Sequence, residues 1–188
     1  MAPAEPVIEA ANGNFAFERI IAAAPHKEGS PLAKLIHRFK YDGAQETGST
    51  LAGFIREEWR EVLPRDAVLV PVPLHKRRKL FRGFNQSEIL AKGIGKTLNI
   101  RCENLLQRHI FTRPQVELEY KDRLSNLKGA FSPANSGYKC DQNATYILVD
   151  DVATTGTTLN ECAKVLKSAG AKNIICLVVC RATISRKA

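Results

Sequence analysis

Apolar residues recur along this chain in two alternating rhythms. Leu32, Leu35, Ile36 and Phe39 follow Pro31 at the i, i+3, i+4, i+7 spacing of an amphipathic helix. Leu51, Ile55, Trp59 and Val62 form one stripe of a second helix, predicted over 45–63 and closed by Pro64. A third begins at Asn85, which stands with Glu88 at N-cap and N3 spacing ahead of Leu90, Ile94 and Leu98. Leu159, Cys162, Ala163 and Leu166 mark another, and a short helix is predicted over 121–127. Between these lie short, β-branched or wholly apolar runs that read as strands: 15–23, 67–73, 105–108, 145–149 and the closing NIICLVVCR. Strand and helix alternate through the second half, which implies an α/β domain with a mostly parallel sheet and helices on both faces. With 188 residues, 44% of them hydrophobic, the chain suits a single domain over 15–188, preceded by a segment, 1–14, read as disordered.

One junction between strand and helix carries unusual chemistry. In ILVDDVATTGTTL (147–159) a buried strand runs into two acids and then into four threonines around a glycine. Thr154, Thr155, Gly156, Thr157 and Thr158 offer successive backbone N–H groups and hydroxyls at the positive end of a helix, and Gly156 permits close backbone approach. That is a phosphate cradle. Asp150 and Asp151 would repel a phosphate, so they suit another part of the same ligand, such as the hydroxyls of a ribose. Thr158 and Glu161 also have capping-box spacing, so a plain helix start competes with this reading.

The stretch resembles the phosphoribosyl diphosphate signature of type I phosphoribosyltransferases, and three further segments narrow the likeness to the ComF family. These are VPVPLHKRRKLFRGFNQSEILA (70–91), TRPQVELEYKDRLSNLKGAF (112–131) and HRFKYDG (37–43). The resemblance covers about residues 15–182. It implies a type I phosphoribosyltransferase fold with a small N-terminal hood, about 15–43, that reads the acceptor. It also implies phosphoribosyl diphosphate as ligand together with Mg²⁺, a 5′-phosphate loop of Ala153 to Thr158, and acids, Asp150 and Asp151, that contact the ribose. The diphosphate loop would comprise Pro73, Leu74, His75 and Lys76. ComF relatives are associated with DNA uptake in natural competence, which brings single-stranded DNA and other uptake proteins in as partners. Many ComF proteins carry a four-cysteine zinc module that these residues do not contain, so no zinc is expected.

HKRRKLFR (75–82) sets five Lys or Arg in eight positions directly after a strand. Three readings compete: a solvated charged loop, contacts to diphosphate, or contacts to a nucleic-acid backbone through Arg77, Arg78, Lys79 and Arg82. Pro73 to Lys76 would turn inward while Arg77 to Arg82 point outward. Arg113, Arg123 and Lys128 lie where related enzymes carry a mobile loop or helix near the diphosphate, although surface cations on a short helix would look the same. A net charge of +9 favours polyanionic partners without choosing among them. The five cysteines include no C-x-x-C pair, and Cys176 and Cys180 would stand roughly 13 Å apart on one strand face. They read as reduced, mostly buried thiols. No apolar run is long enough to span a bilayer and the N-terminus lacks a signal-peptide pattern, so a cytoplasmic protein is expected.

Overall fold

A computed structural model describes residues 5–11, 13–41, 46–111 and 127–182. Eight strands fall within them: β1 (Val7–Ala10), β2 (Arg19–His26), β3 (Ala67–Pro71), β4 (Arg101–Cys102), β5 (Leu106–Arg108), β6 (Phe131–Pro133), β7 (Thr145–Ala153) and β8 (Asn173–Ala182). The helices are α1 (Pro31–Tyr41), α2 (Glu46–Ala52), a 3-10 turn (Glu57–Glu61), α3 (Lys76–Arg82), α4 (Gln86–Leu98) and α5 (Thr157–Ser168). Six strands form one sheet in the order β1-β2-β8-β7-β3-β4, parallel throughout except for β1. β5 and β6 pair as a separate antiparallel ribbon.

Alternation along the central strands builds two cores. Val68, Val70, Tyr146, Leu148, Ile174 and Cys176 face α5 and the ribbon. Leu69, Ile147, Val149, Ile175 and Leu177 face α1, α2, the 3-10 turn and α4. Helices therefore cover both sheet faces, the α/β arrangement that the apolar rhythm implied. Towards the end of β8 the alternation slips: Cys180 packs with Val179 in the second core, so Cys176 and Cys180 do not share a face as the strand period predicted. Four of the five cysteines are buried and all are free thiols.

Several elements differ from their sequence readings, each for a local reason. Residues 7–10, read as part of a disordered segment, extend the sheet as β1. The strand placed over 15–23 begins at Arg19, because Phe15 and Phe17 leave the sheet and stack on each other at 4.9 Å. The single helix over 45–63 breaks after Ala52, where Gly53 weakens the helix. The chain bends and buries Ile55, and the tighter 3-10 turn then buries Trp59 but leaves Val62 at the surface. The strand over 105–108 belongs to the ribbon, and the short β4 takes the sheet edge instead. The largest departure is α3, a helix where a charged loop was predicted. The helix expected over 121–127 lies, but for its last residue, outside the described residues, as do Arg113 and Arg123.

α2 and α4 approach so closely that side chains are excluded between them. A Cβ on Gly48 would stand 2.4 Å from Ile89 Cγ2, and one on Gly93 would stand 2.8 Å from Ala52 Cβ. This contact seats α4 against the sheet, and with it the residues at the start of α4.

Candidate functional site

β3 and β7 run side by side and parallel, so their carboxyl ends open at one edge of the sheet. Ligands in open α/β sheets bind at such edges. A cavity of about 720 Å³ lies there, within the range of roughly 300–1,000 Å³ that holds small-molecule ligands. Asp150 and Asp151 line it, as do Thr154 and Thr158 from the threonine loop and Pro73 and Leu74 from the end of β3. Five cations complete the wall: Lys40, Arg77, Arg78, Arg82 and Arg108.

The acids are held by different partners. Asp150 Oδ1 accepts hydrogen bonds from Ser87 Oγ at 2.8 Å and from the Asp151 backbone N–H at 2.9 Å. Burial, followed by the charge of Asp151, pushes the Asp150 carboxyl up to about 7, although Lys40 and Ser87 pull the other way. Asp151 is only 5% exposed, and its Oδ2 lies 2.9 Å from Lys40 Nζ. That contact is an ion pair without directed geometry: among the described residues no regular hydrogen bond reaches this oxygen. Burial lowers the pKa of Lys40, but the carboxylate beside it outweighs burial and leaves the pKa raised.

The threonine loop turns at Gly156, whose φ of 78° is the left-handed conformation that glycine adopts without strain. A Cβ there would also press on the Phe15 ring at 3.4 Å. Gly156 is itself the N-cap of α5, without a side-chain cap, and Glu161 pairs with Lys164 at 2.6 Å. The capping-box reading of Thr158 therefore fails, and Thr158 faces the cavity from within the first turn. Thr155 and Thr157 tie the loop to itself, hydroxyl to hydroxyl at 2.8 Å.

Arg181 supports the loop from behind. Its Nη1 donates to the carbonyls of Thr154 and Ala153, while Nε and Nη2 pair with Glu9 of β1 at 2.6 and 3.2 Å. The hydrogen bond to Arg181 holds the Glu9 carboxyl below its ordinary range. A trans peptide sets C=O and N–H on opposite sides, so drawing these two carbonyls towards Arg181 turns the N–H groups of Thr154 and Thr155 away from it.

The basic stretch is a helix because His75 caps it, Nδ1 accepting from the Arg77 backbone N–H at 3.1 Å, and because Gly83 closes it at φ 82°. This reverses part of the inward and outward assignment. Pro73 and Leu74 face the cavity, and so do Arg77, Arg78 and Arg82, whereas His75 and Lys76 do not line it. Arg77 and Arg78 lie over Phe111, at 5.6 and 5.8 Å from the ring centroid, and Arg82 lies over Tyr41 at 5.1 Å. Lys79 turns to Glu88 at 3.4 Å. Ala153, Thr155, Gly156 and Thr157 shape the loop without lining the cavity, and exposed Lys128 does not line it either.

Sequence reasoning missed Lys40, Gln86, Ser87, Arg108, Glu9 and Arg181. Lys40 sits inside HRFKYDG and Gln86 and Ser87 inside RGFNQSE, so the segments were noticed but not these side chains. Nothing in the residues around Glu9 or Arg181 signals their pairing across the sheet.

Comparison with known proteins places these features in a family. A family model described as phosphoribosyl transferase domain matches residues 121–188, which include both acids and the whole threonine loop. Competence protein F of Haemophilus influenzae is 37% identical over 150 residues, covering 77% of this chain and 65% of that protein. DNA utilization protein YhgH of Escherichia coli O6:H1 is 31% identical over 174 residues, covering 88% of this chain and 73% of that protein. Among solved structures, one described as the allosteric regulatory enzyme of purine biosynthesis aligns with a TM-score of 0.49 at 16% identity, over 75% of this chain and 29% of that one.

Proposed function

The chain belongs to the ComF family of competence protein F relatives, with a phosphoribosyltransferase-type fold, and from that premise we propose that its cavity binds phosphoribosyl diphosphate with Mg²⁺ and transfers the phosphoribosyl group to a nitrogen base. The observation that carries this reading is the shared cavity, in which two acids, the threonine loop and a wall of cations meet. In the reaction the bond from ribose C1 to the diphosphate oxygen breaks and its electron pair leaves with pyrophosphate. A nitrogen lone pair forms the new C1–N bond, and the nitrogen loses its proton to solvent.

Each group has a part in that step. The N–H groups and hydroxyls of Thr154 to Thr158 suit the 5′-phosphate. Asp150 and Asp151 suit the ribose hydroxyls and offset the positive charge that develops on the sugar. Arg77 and Arg78 offset the charge of the diphosphate. Among the described residues no cluster of three or more His, Cys, Asp or Glu could hold a metal, so Mg²⁺ would be bound largely through ligand oxygens, with Asp150 and Asp151 within reach. When bound, the ion neutralises the leaving group. Calorimetric titration with phosphoribosyl diphosphate, with and without Mg²⁺, tests the assignment. Metal-dependent heat is expected, and folded protein that gives none at millimolar ligand rules the assignment out.

A second reading has its own observation. α3 carries five cations and buries none of its residues, and Phe81 and Leu80 are 86% and 87% exposed. A cationic helix with an exposed ring suits single-stranded DNA, and the relatives' names refer to competence and DNA utilization. On this reading the protein handles DNA in the cytoplasm during uptake, with competence proteins as partners, and phosphoribosyl diphosphate is a regulatory ligand or the site has decayed. Among the described residues no helix is long and apolar enough to cross a membrane. Pyrophosphate release with a panel of bases separates the two readings.

A further inference from the structure

One buried polar group in the cavity has no task in either reading above. Gln86, 3% exposed, lines the cavity at the start of α4, and its Oε1 accepts from Arg82 Nη1 at 3.2 Å. Because arginine only donates, this contact fixes which way the amide points, with the nitrogen away from Arg82. Nε2 is buried and has no hydrogen-bond partner among the described residues. A buried donor without an acceptor costs free energy unless a ligand supplies one.

The surroundings narrow what the acceptor is. The same Arg82 that orients Gln86 lies over the ring of Tyr41, which is half exposed and lines the same cavity. A flat ring entering this corner therefore meets an aromatic and guanidinium platform on its face and an N–H donor at its edge. A neutral amide whose oxygen is already engaged suits one carbonyl-type oxygen better than a diphosphate, which Arg77 and Arg78 would serve. The next residue in the chain, Ser87, holds Asp150, so this corner adjoins the acids.

We propose that the corner framed by Tyr41, Arg82 and Gln86 is the acceptor pocket, and that it selects an oxo-substituted nitrogen heterocycle whose carbonyl oxygen accepts from Gln86 Nε2. An amino group at that edge would set donor against donor. Arg82 favours rings that carry negative charge near neutral pH over cationic ones. The inference rests on the phosphoribosyl diphosphate reading of the cavity, and it names the partner substrate of that site.

The test uses the full chain and reads the two ligands separately. Phosphoribosyl diphosphate with Mg²⁺ is titrated first, and the absence of heat at that stage removes the reading of the cavity itself. With that ligand bound, or with ribose 5-phosphate in its place, hypoxanthine, xanthine and uracil are compared with adenine, which has an amino group and no ring carbonyl. The oxo bases are expected to bind on the order of tenfold tighter. Gln86→Leu should abolish that preference while leaving phosphoribosyl diphosphate affinity within about twofold. Tyr41→Leu, on a separate helix and at an exposed ring, should weaken all bases alike and serves if Gln86→Leu does not fold. The proposal is overturned if no base binds while phosphoribosyl diphosphate does, if amino bases are preferred, if Gln86→Leu keeps the preference, or if Gln86→Leu weakens pyrophosphate instead.

Discussion

The two strand ends that meet at the cavity are built in opposite ways. After β7 the chain turns within three residues into α5, and the turn is fixed from all sides: Gly156 at positive φ, Phe15 packed on it, Thr155 bonded to Thr157, and Arg181 holding the carbonyls behind. After β3 the chain instead inserts α3, which buries no residue and is held by a histidine cap, arginine contacts to Phe111 and Tyr41, and one lysine to glutamate pair. Binding a compact phosphate on backbone N–H groups needs a preorganised loop, because any reordering subtracts from affinity. Long cationic side chains on a helix can follow a ligand that moves or leaves. The β7 end is thus suited to hold one group in place, and the β3 end to meet variable anions.

Substitutions at the β7 end should therefore have the larger effects. Asp151→Asn keeps size but removes the charge proposed to stabilise the cationic sugar, so turnover should fall by about 3–5 kcal/mol of transition-state stabilisation, a hundredfold or more. Ligand affinity should hold or improve, because Lys40 is then free to meet an anion. Pyrophosphate release measured beside calorimetry checks both halves, and wild-type turnover by this variant would remove the role given to the acid. Arg181→Met should weaken ribose 5-phosphate binding by about tenfold, on the scale of a charge-assisted hydrogen bond. Pyrophosphate binding should be unaffected, since only the threonine loop loses its support. Equal losses for both ligands would mean that Arg181 props the whole fold.

Asp150 adds a pH dependence. Its carboxyl sits at about 7 rather than the ordinary 3.8, so the native state keeps a proton that the unfolded chain has released. The stability from this group is fully present below pH 3.8 and is lost as pH rises through about 7. Asp150→Asn lacks that loss, so its melting temperature should gain on wild type between about pH 4 and about pH 7 and hold that gain above it. A constant difference across that range would show that the carboxyl titrates normally. The smallest effect on folding should come from the β3 end. Replacing Arg77, Arg78 and Lys79 by Ala should change stability by no more than about 0.5 kcal/mol, because α3 packs nothing into the core. It should still flatten the salt dependence of single-stranded DNA binding, by about 0.7 log units per log unit of salt for each phosphate that is no longer neutralised. A large drop in melting temperature would make α3 structural and erase the contrast between the two ends.

Local pattern was enough for one end and not for the other. The acids, the glycine and the threonines stand together within nine residues, and an apolar strand and an amphipathic helix flank them, so strand end, turn and helix start were all legible. α3 was not, because a seven-residue helix that buries nothing has no apolar stripe, and its charges read equally well as a loop. The break after Ala52 was hidden because a bend followed by a 3-10 turn can bury Ile55 and Trp59 as a continuous helix would.

Composition and spacing along the chain thus specify the alternating α/β order, the buried parallel strands and the turn of the threonine loop, since each depends on neighbours a few positions apart. Tertiary structure alone brings Lys40 to Asp151, Ser87 to Asp150, Gln86 to the cavity and Glu9 with Arg181 behind the loop. The Glu9 and Arg181 side chains are 172 positions apart in sequence. They meet because β2 and β8 pair in parallel and β1 closes the edge beside them, and strand order of that kind leaves no periodic trace in the residues it brings together.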